Sequence, residues 1–209
     1  MNLKSFGCSF IYGSELADEK WGGSLSAWPA LLANQLGYEY YCYARPGSGN
    51  LRIAESVLNQ LADNEPTLYV IGWSWIDRFD YTTPDDKWCT VMPGDNDEQA
   101  QVYYRDLHSQ YRDKLTSLMS IKLVLDMLLE KKYPFIRTYM DELLFEAPWH
   151  TTAAVTELQN FIRPYMTQFE GKSFLEWSRS QGFEETSSWH PLEEAHNAAA
   201  KYIKGQKIL

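Results

Sequence analysis

The sequence predicts the α/β class: a three-layer α/β/α sandwich around a central parallel sheet, flavodoxin-like in outline. Two observations carry this reading. Strand-like and helix-like segments alternate from Leu3 to Ile71, and Thr67-Leu68-Tyr69-Val70-Ile71 is a continuous apolar run, the pattern of a strand covered on both faces. Right-handed crossovers joining strand, helix, strand, helix, strand build a parallel sheet. The chain has 209 residues, enough for one sizeable core, and no internal repeat or low-complexity linker divides it, so residues 1–209 are read as one domain.

Leu3 to Phe6 is the first strand, running into Gly7-Cys8-Ser9, with Tyr12-Gly13-Ser14 as loop. From Ser24 to Leu36, Leu25, Trp28, Leu31, Leu32 and Leu36 recur at helical spacing, and Gly37 falls where a left-handed residue ends a helix. Tyr38 to Ala44 reads as strand, Pro46-Gly47-Ser48-Gly49 as loop, and Asn50 as the cap of a helix through about Leu61. After the Thr67–Ile71 strand ends at Gly72, residues 73–97 carry prolines, glycine and several aspartates and read as an inserted excursion or lid. Asp95 to Tyr133 has neither Gly nor Pro and keeps one apolar face, so it is helical. One unbroken rod of that length outruns a small domain, and a break is expected. The charges along it form a solvated face. Pro134 to Met140 is a fourth strand, and Thr152–Met166, Lys172–Ser180 and Pro191–Lys204 are helices.

Composition excludes several classes of function. Lys plus Arg is 19 against 28 for Asp plus Glu, a net charge of -9, which disfavours binding along a nucleic-acid backbone or an anionic membrane. No stretch approaches the ~18 consecutive apolar residues of a membrane span, and the first residues are too short and mixed for a secretory segment, so a cytoplasmic protein is expected. Cys8, Cys42 and Cys89 cannot all pair and form no Cys-x-x-Cys, which leaves neither a disulfide framework nor a structural zinc site. His190 and His196 bracket Glu193 and Glu194, but a spacing of six puts the imidazoles on different helix faces, and no metal is expected there. His108 and His150 read as surface residues.

Ser9 stands at the exit of the first strand, on the carboxyl edge where open α/β folds gather ligands. Gly7-Cys8-Ser9-Phe10-Ile11 lacks the second glycine of a Gly-x-Ser-x-Gly elbow. Two small-residue loops share that edge, Ala44–Asn50 and Gly72–Trp75, and such loops bring backbone N–H groups onto one point, as a developing oxyanion requires. His190, in Ser188-Trp189-His190-Pro191, lies just before the last helix. Cys8 is a competing nucleophile, with a small buried hydrophobe as its plain reading. Trp73, Trp75 and Arg78 read either as pocket lining or as packing under the excursion.

Together these residues resemble the SGNH (GDSL-type) hydrolases, a family of α/β/α esterases, lipases and acetylhydrolases, and most of all a divergent bacterial and phage-borne branch. Gly7-Cys8-Ser9 resembles the family's Gly-Asp-Ser block with cysteine for aspartate, which implies Ser9 as nucleophile. Tyr43-Ala44-Arg45-Pro46-Gly47 resembles the second block, whose glycine N–H joins the oxyanion hole. Gly72-Trp73-Ser74-Trp75 keeps only the glycine of Gly-x-Asn-Asp, leaving Ser74, or the Asn50 side chain, as the remaining donor. His190-Pro191 resembles the end of Asp-x-x-His, implying His190 as general base. The acid of that block falls near position 187, where Ser187 and Ser188 stand. Three substitutes stay open: Glu184 or Glu185, a backbone carbonyl, or a Ser9–His190 dyad. The resemblance implies cleavage of a small ester, such as an O-acetylated carbohydrate or a short-chain acyl ester, without a cofactor. A glycan- or protein-binding module that has lost the chemistry and an acyltransferase using the same serine are the alternatives. The oligomeric state is left open.

Overall fold

The computed structural model describes residues 1–62 and 65–206. In chain order it contains β1 (Asn2–Gly7), α1 (Ser9–Tyr12), α2 (Trp28–Leu36), β2 (Glu39–Cys42), α3 (Asn50–Gln60) and β3 (Thr67–Trp73). A hairpin of β4 (Phe79–Thr82) and β5 (Trp88–Val91) follows. Then come α4 (Glu98–Val102), α5 (Gln110–Lys131), β6 (Phe135–Tyr139), α6 (Ala153–Ile162), α7 (Phe174–Gln181) and α8 (Glu193–Gly205). Four strands form a parallel sheet in the order β2-β1-β3-β6, as the alternating pattern predicts. Among the described residues no helix is long and apolar enough to cross a membrane.

Strand alternation sorts the core. Leu68 and Val70 of β3 face Trp28, Leu32, Trp177, Ala199 and Ile203 of α2, α7 and α8. Tyr69, Ile71 and Trp73 point the other way, onto Ile53, Val57, Leu118, Ile121, Leu125 and Ile162 of α3, α5 and α6. Covered on both faces, β3 is buried throughout, which is why it reads as unbroken apolar sequence.

Several boundaries differ from the sequence reading, each for a local reason. The second helix starts at Trp28 rather than Ser24, because Pro29 lacks an N–H and fits only the first turn. Gly37 ends it at φ 69°, as predicted. Asn50 is the first helical residue of α3, not its cap; Gly49 holds the cap position. The Asp80 carboxylate, from the hairpin, accepts the Gly49 and Arg52 N–H groups, each at 2.9 Å, and the Thr90 hydroxyl at 2.6 Å. The β4–β5 hairpin is thereby tied to the start of α3. The expected break in the long helical stretch is a π-helical turn at Tyr103–Leu107, after which Ser109 caps α5 by accepting the Arg112 N–H. Pro191 precedes α8, which is capped at Leu192. His108 is not a free surface residue: its Nε2 lies 3.1 Å from Asp113 Oδ2.

A candidate active site at the carboxyl edge of the sheet

Ser9 begins α1 directly after β1, and the turn that delivers it depends on two glycines. Gly7 pairs with Gly72 in register between β1 and β3, and Ile11 of α1 lies over both. A Cβ on Gly7 would sit 2.6 Å from Ile11 Cγ1 and 2.8 Å from the Gly72 carbonyl oxygen, and Gly7 holds φ +155°. The bare backbone lets α1 settle onto the sheet end and fixes the serine there. Ile11 and Tyr12 both donate to the Cys8 carbonyl, so the N–H of Ser9 is one of the helix-start donors that no helical carbonyl reaches. Cys8 itself is fully buried in the core, where its plain reading puts it.

Gly47 belongs to a tight turn. Ser48 N–H donates to the Arg45 carbonyl at 3.2 Å, with Pro46 and Gly47 between them and Gly47 at φ +80°. Proline followed by a left-handed glycine is the signature of a type II turn, and its hydrogen bond leaves the Gly47 N–H unused.

His190 arrives on another turn, closed by Trp189 N–H donating to the Thr186 carbonyl at 3.0 Å. Its Nε2 lies 2.8 Å from Ser9 Oγ. Its Nδ1 contacts Glu15 Oε2. An ionised carboxylate only accepts, so Nδ1 carries a proton, and in that tautomer the Nε2 lone pair faces the serine hydroxyl. Glu15 is held down to a pKa of about 2, first by the Ser188 hydroxyl, then by His190 and the Thr186 hydroxyl. Phe10 backs the imidazole, with ring centroids 4.9 Å apart.

Glu15 was not singled out in the sequence, and the carboxylates that were lie elsewhere. Glu185 is bound by Arg179, Nε to Oε2 at 2.9 Å. Glu184 is exposed and contributes its carbonyl, which accepts the Leu192 N–H at 3.0 Å. Nor does Asn50 supply an oxyanion donor. Its Oδ1 accepts the Ser74 N–H at 2.7 Å, and its Nδ2 donates to the Ser74 carbonyl and to Ser117 Oγ, so the amide is used up bracing the third loop. Ser74 is 1% exposed and does not line the cavity in front of Ser9. Trp73 is core, whereas Trp75 and Arg78 do line that cavity. The cue for Glu15 is faint: an acidic residue just past the Tyr12-Gly13-Ser14 loop, on the same segment as Ser9.

The cavity measures about 600 Å³ and is walled by Phe10, Pro46, Trp75 and Met92, with Asp77 and Arg78 beside them. The Arg78 guanidinium stacks 4.8 Å from the Trp75 ring and donates to the Ser48 carbonyl at 3.2 Å. A base-paired hydroxyl, two unused N–H groups and a partly apolar cavity are what acyl transfer through a serine requires.

No protein-family model matches the chain, and no curated protein matches it in sequence. Solved structures do match. One is the psychrotrophic esterase EstA from Pseudoalteromonas sp., at 10% identity, with 97% of this chain and 94% of that chain covered and a TM-score of 0.57. Another is a member of the lipolytic protein G-D-S-L family from Veillonella parvula, at 12% identity, with both chains covered over 100% and a TM-score of 0.55. A third is a carbohydrate esterase described as having divergent catalytic and non-catalytic binding functions, at 16% identity, with 99% of this chain and 65% of that chain covered and a TM-score of 0.54. The chain has the fold of these G-D-S-L-type lipolytic and carbohydrate esterases.

Proposed function

We propose that the protein is a serine ester hydrolase of the SGNH type acting on a small ester, with an O-acetylated carbohydrate or a short-chain acyl ester as substrate. The observation that carries this reading is the 2.8 Å contact between Ser9 Oγ and His190 Nε2, joining residues 181 positions apart. The esterase names of the fold neighbours support it.

In this reading Ser9 Oγ attacks the ester carbonyl carbon while its proton passes to His190 Nε2. The carbonyl oxygen, now an oxyanion, takes hydrogen bonds from the N–H groups of Ser9 and Gly47. The C–O bond to the alcohol breaks, and the leaving oxygen collects the proton from His190. Water then attacks the acyl carbon as its proton passes to His190 Nε2, the bond from Ser9 Oγ to the acyl carbon breaks, and Oγ takes that proton back, releasing the acid and free Ser9. With Ser74 absent from the cavity lining and the Asn50 amide occupied, the hole lacks the side-chain donor of the third block. One such donor is worth about 2.7–4 kcal/mol elsewhere, so turnover is expected to be modest. The cavity volume falls within the ~300–1,000 Å³ usual for small-molecule sites. Planar charged groups next to an aromatic ring suit the alternating hydroxyl and C–H faces of a sugar. An imidazole held ready on the serine favours catalysis over a binding module, which has no use for it.

Hydrolysis of p-nitrophenyl acetate by the wild type and its loss in Ser9→Ala tests the reading, with a serine-directed phosphonate as the second probe. Labelling confined to Ser9 supports it. Equal turnover in both proteins, or saturable glycan binding without labelling, overturns it.

A further inference from the structure

We propose that Glu15 supplies the carboxylate that the SGNH resemblance places near position 187, and that Thr186 and Ser188 are positioning residues that hold it against His190. The assignment rests on the hydrolase reading and identifies what keeps its general base in place.

Three donors from one turn converge on a single oxygen. Thr186 Oγ1, at 2.7 Å, Ser188 Oγ and His190 Nδ1 all meet Glu15 Oε2. The Thr186 hydroxyl also accepts the His190 N–H at 3.2 Å, so one side chain orients both the acid and the base. Glu15 reaches the turn with φ 66°, a left-handed conformation that a non-glycine residue adopts only when its surroundings impose it.

Those surroundings are other carboxylates on the acid's own loop and on α8. Glu15 N–H donates to Glu19 Oε2 at 2.7 Å, and Ala17 N–H to Glu193 Oε1 at 2.9 Å. Asp18 accepts the Leu25 and Ser26 N–H groups at 3.0 and 3.1 Å. The loop is thus closed on itself and tied to the first turn of α8, immediately beyond His190.

The replacement is also chemically self-consistent. An aspartate among Thr186–Ser188 would face the Glu15 carboxylate with like charge, whereas hydroxyls donate to it. Moving the acid to the nucleophile's loop and putting hydroxyls in its former block are two halves of one change. The low pKa of Glu15, about 2 and owed first to the Ser188 hydroxyl, agrees with a carboxylate that stays ionised wherever the enzyme works.

The test compares Glu15→Gln, Glu185→Gln, and the pair Thr186→Val with Ser188→Ala. Readouts are p-nitrophenyl acetate kinetics over pH and the low-field proton resonance of the imidazole Nδ1–H. Glu15→Gln is expected to lower kcat by roughly 10³–10⁴-fold with KM within about threefold, the scale of losing an orienting acid. Glu185→Gln stays within about twofold of wild type. The hydroxyl pair loses about tenfold and falls off more steeply at acid pH as Glu15 returns toward the ordinary carboxylate range, and restoring the hydroxyl with Ser188→Thr recovers most of the rate. Placing aspartate at the family position, Ser187→Asp in the Glu15→Gln background, returns part of the lost kcat. A Glu15→Gln enzyme within threefold of wild type, or an equal loss in Glu185→Gln, overturns the assignment; an unchanged melting temperature separates either result from misfolding. If wild type cleaves no ester, the hydrolase reading fails by itself, and the placement is judged from the resonance. Present in wild type and Ser9→Ala but absent in Glu15→Gln, it upholds the carboxylate contact; unchanged in Glu15→Gln, it refutes it.

Discussion

Replacing Gly72 by alanine adds one methyl group where the helix that begins at Ser9 meets the sheet. The new Cβ would lie 2.7 Å from Ile11 Cδ1 and closer still to Cγ1, whereas ordinary contact begins at 3.4 Å. At least 3.4 − 2.7 = 0.7 Å must open up, and Ile11 already fills the space over Gly7 as well. Since α1 begins at Ser9, the shift is transmitted to Oγ. Overpacking of this kind costs about 1–3 kcal/mol. At roughly 2–4 °C per kcal/mol for a chain of this size, melting should fall by ~2–12 °C. Moving a reacting atom by about 1 Å costs on the order of 10²-fold in rate, so turnover of p-nitrophenyl acetate should fall further than stability alone explains. Ile11→Ala removes the obstructing atoms and, alone, costs about 2–5 kcal/mol through the cavity it leaves. In the double variant the added methyl enters that cavity, and the combined loss should be smaller than the sum by more than about 0.5 kcal/mol. Additive losses, or a Gly72→Ala protein with full turnover, would show that the Ile11 contact does not set the position of Ser9.

Two further outcomes follow from buried titratable groups elsewhere in the fold. His196 is buried, accepts the Trp28 N–H on Nδ1 at 3.0 Å, and has its pKa lowered to about 4, chiefly by desolvation. Its folded pKa lies below the unfolded 6.5, so its contribution is complete above pH 6.5 and is lost as pH falls toward 4, by up to about 3 kcal/mol. Urea midpoints measured between pH 7 and 4 should show that decline, and a His196→Gln variant should lack most of it; equal slopes would contradict the assignment. Asp80→Ala removes the acceptor of the Gly49 and Arg52 N–H groups at the start of α3 and of the Thr90 hydroxyl, which should cost at least about 2 kcal/mol and speed hydrogen exchange at Gly49 and Arg52. Unchanged protection of those two amides would mean that the hairpin does not anchor the second loop.

What the sequence settled by itself was local. A continuous apolar run and small-residue breaks mark the strands, helical spacing marks the helices, Gly37 marks a helix end, and the small-residue loops after β1, β2 and β3 fall on one edge because parallel strands all end there. The places of Ser9 and Gly47 on that edge are legible for that reason, and the place of His190 from the loop before the last helix. Tertiary structure decided which other groups face them. Glu184 and Glu185 are near His190 along the chain, yet Arg179 binds Glu185, and the ring is met by Glu15 from 175 residues away. Asn50 looked like a donor for the oxyanion until Ser74 and Ser117 were seen to use both ends of its amide. Trp73 and Trp75, two apart, separate into core and cavity because β3 ends between them. A carboxylate's partner depends on loop conformations and on contacts between distant segments, and neither leaves a periodic trace in the order of residues.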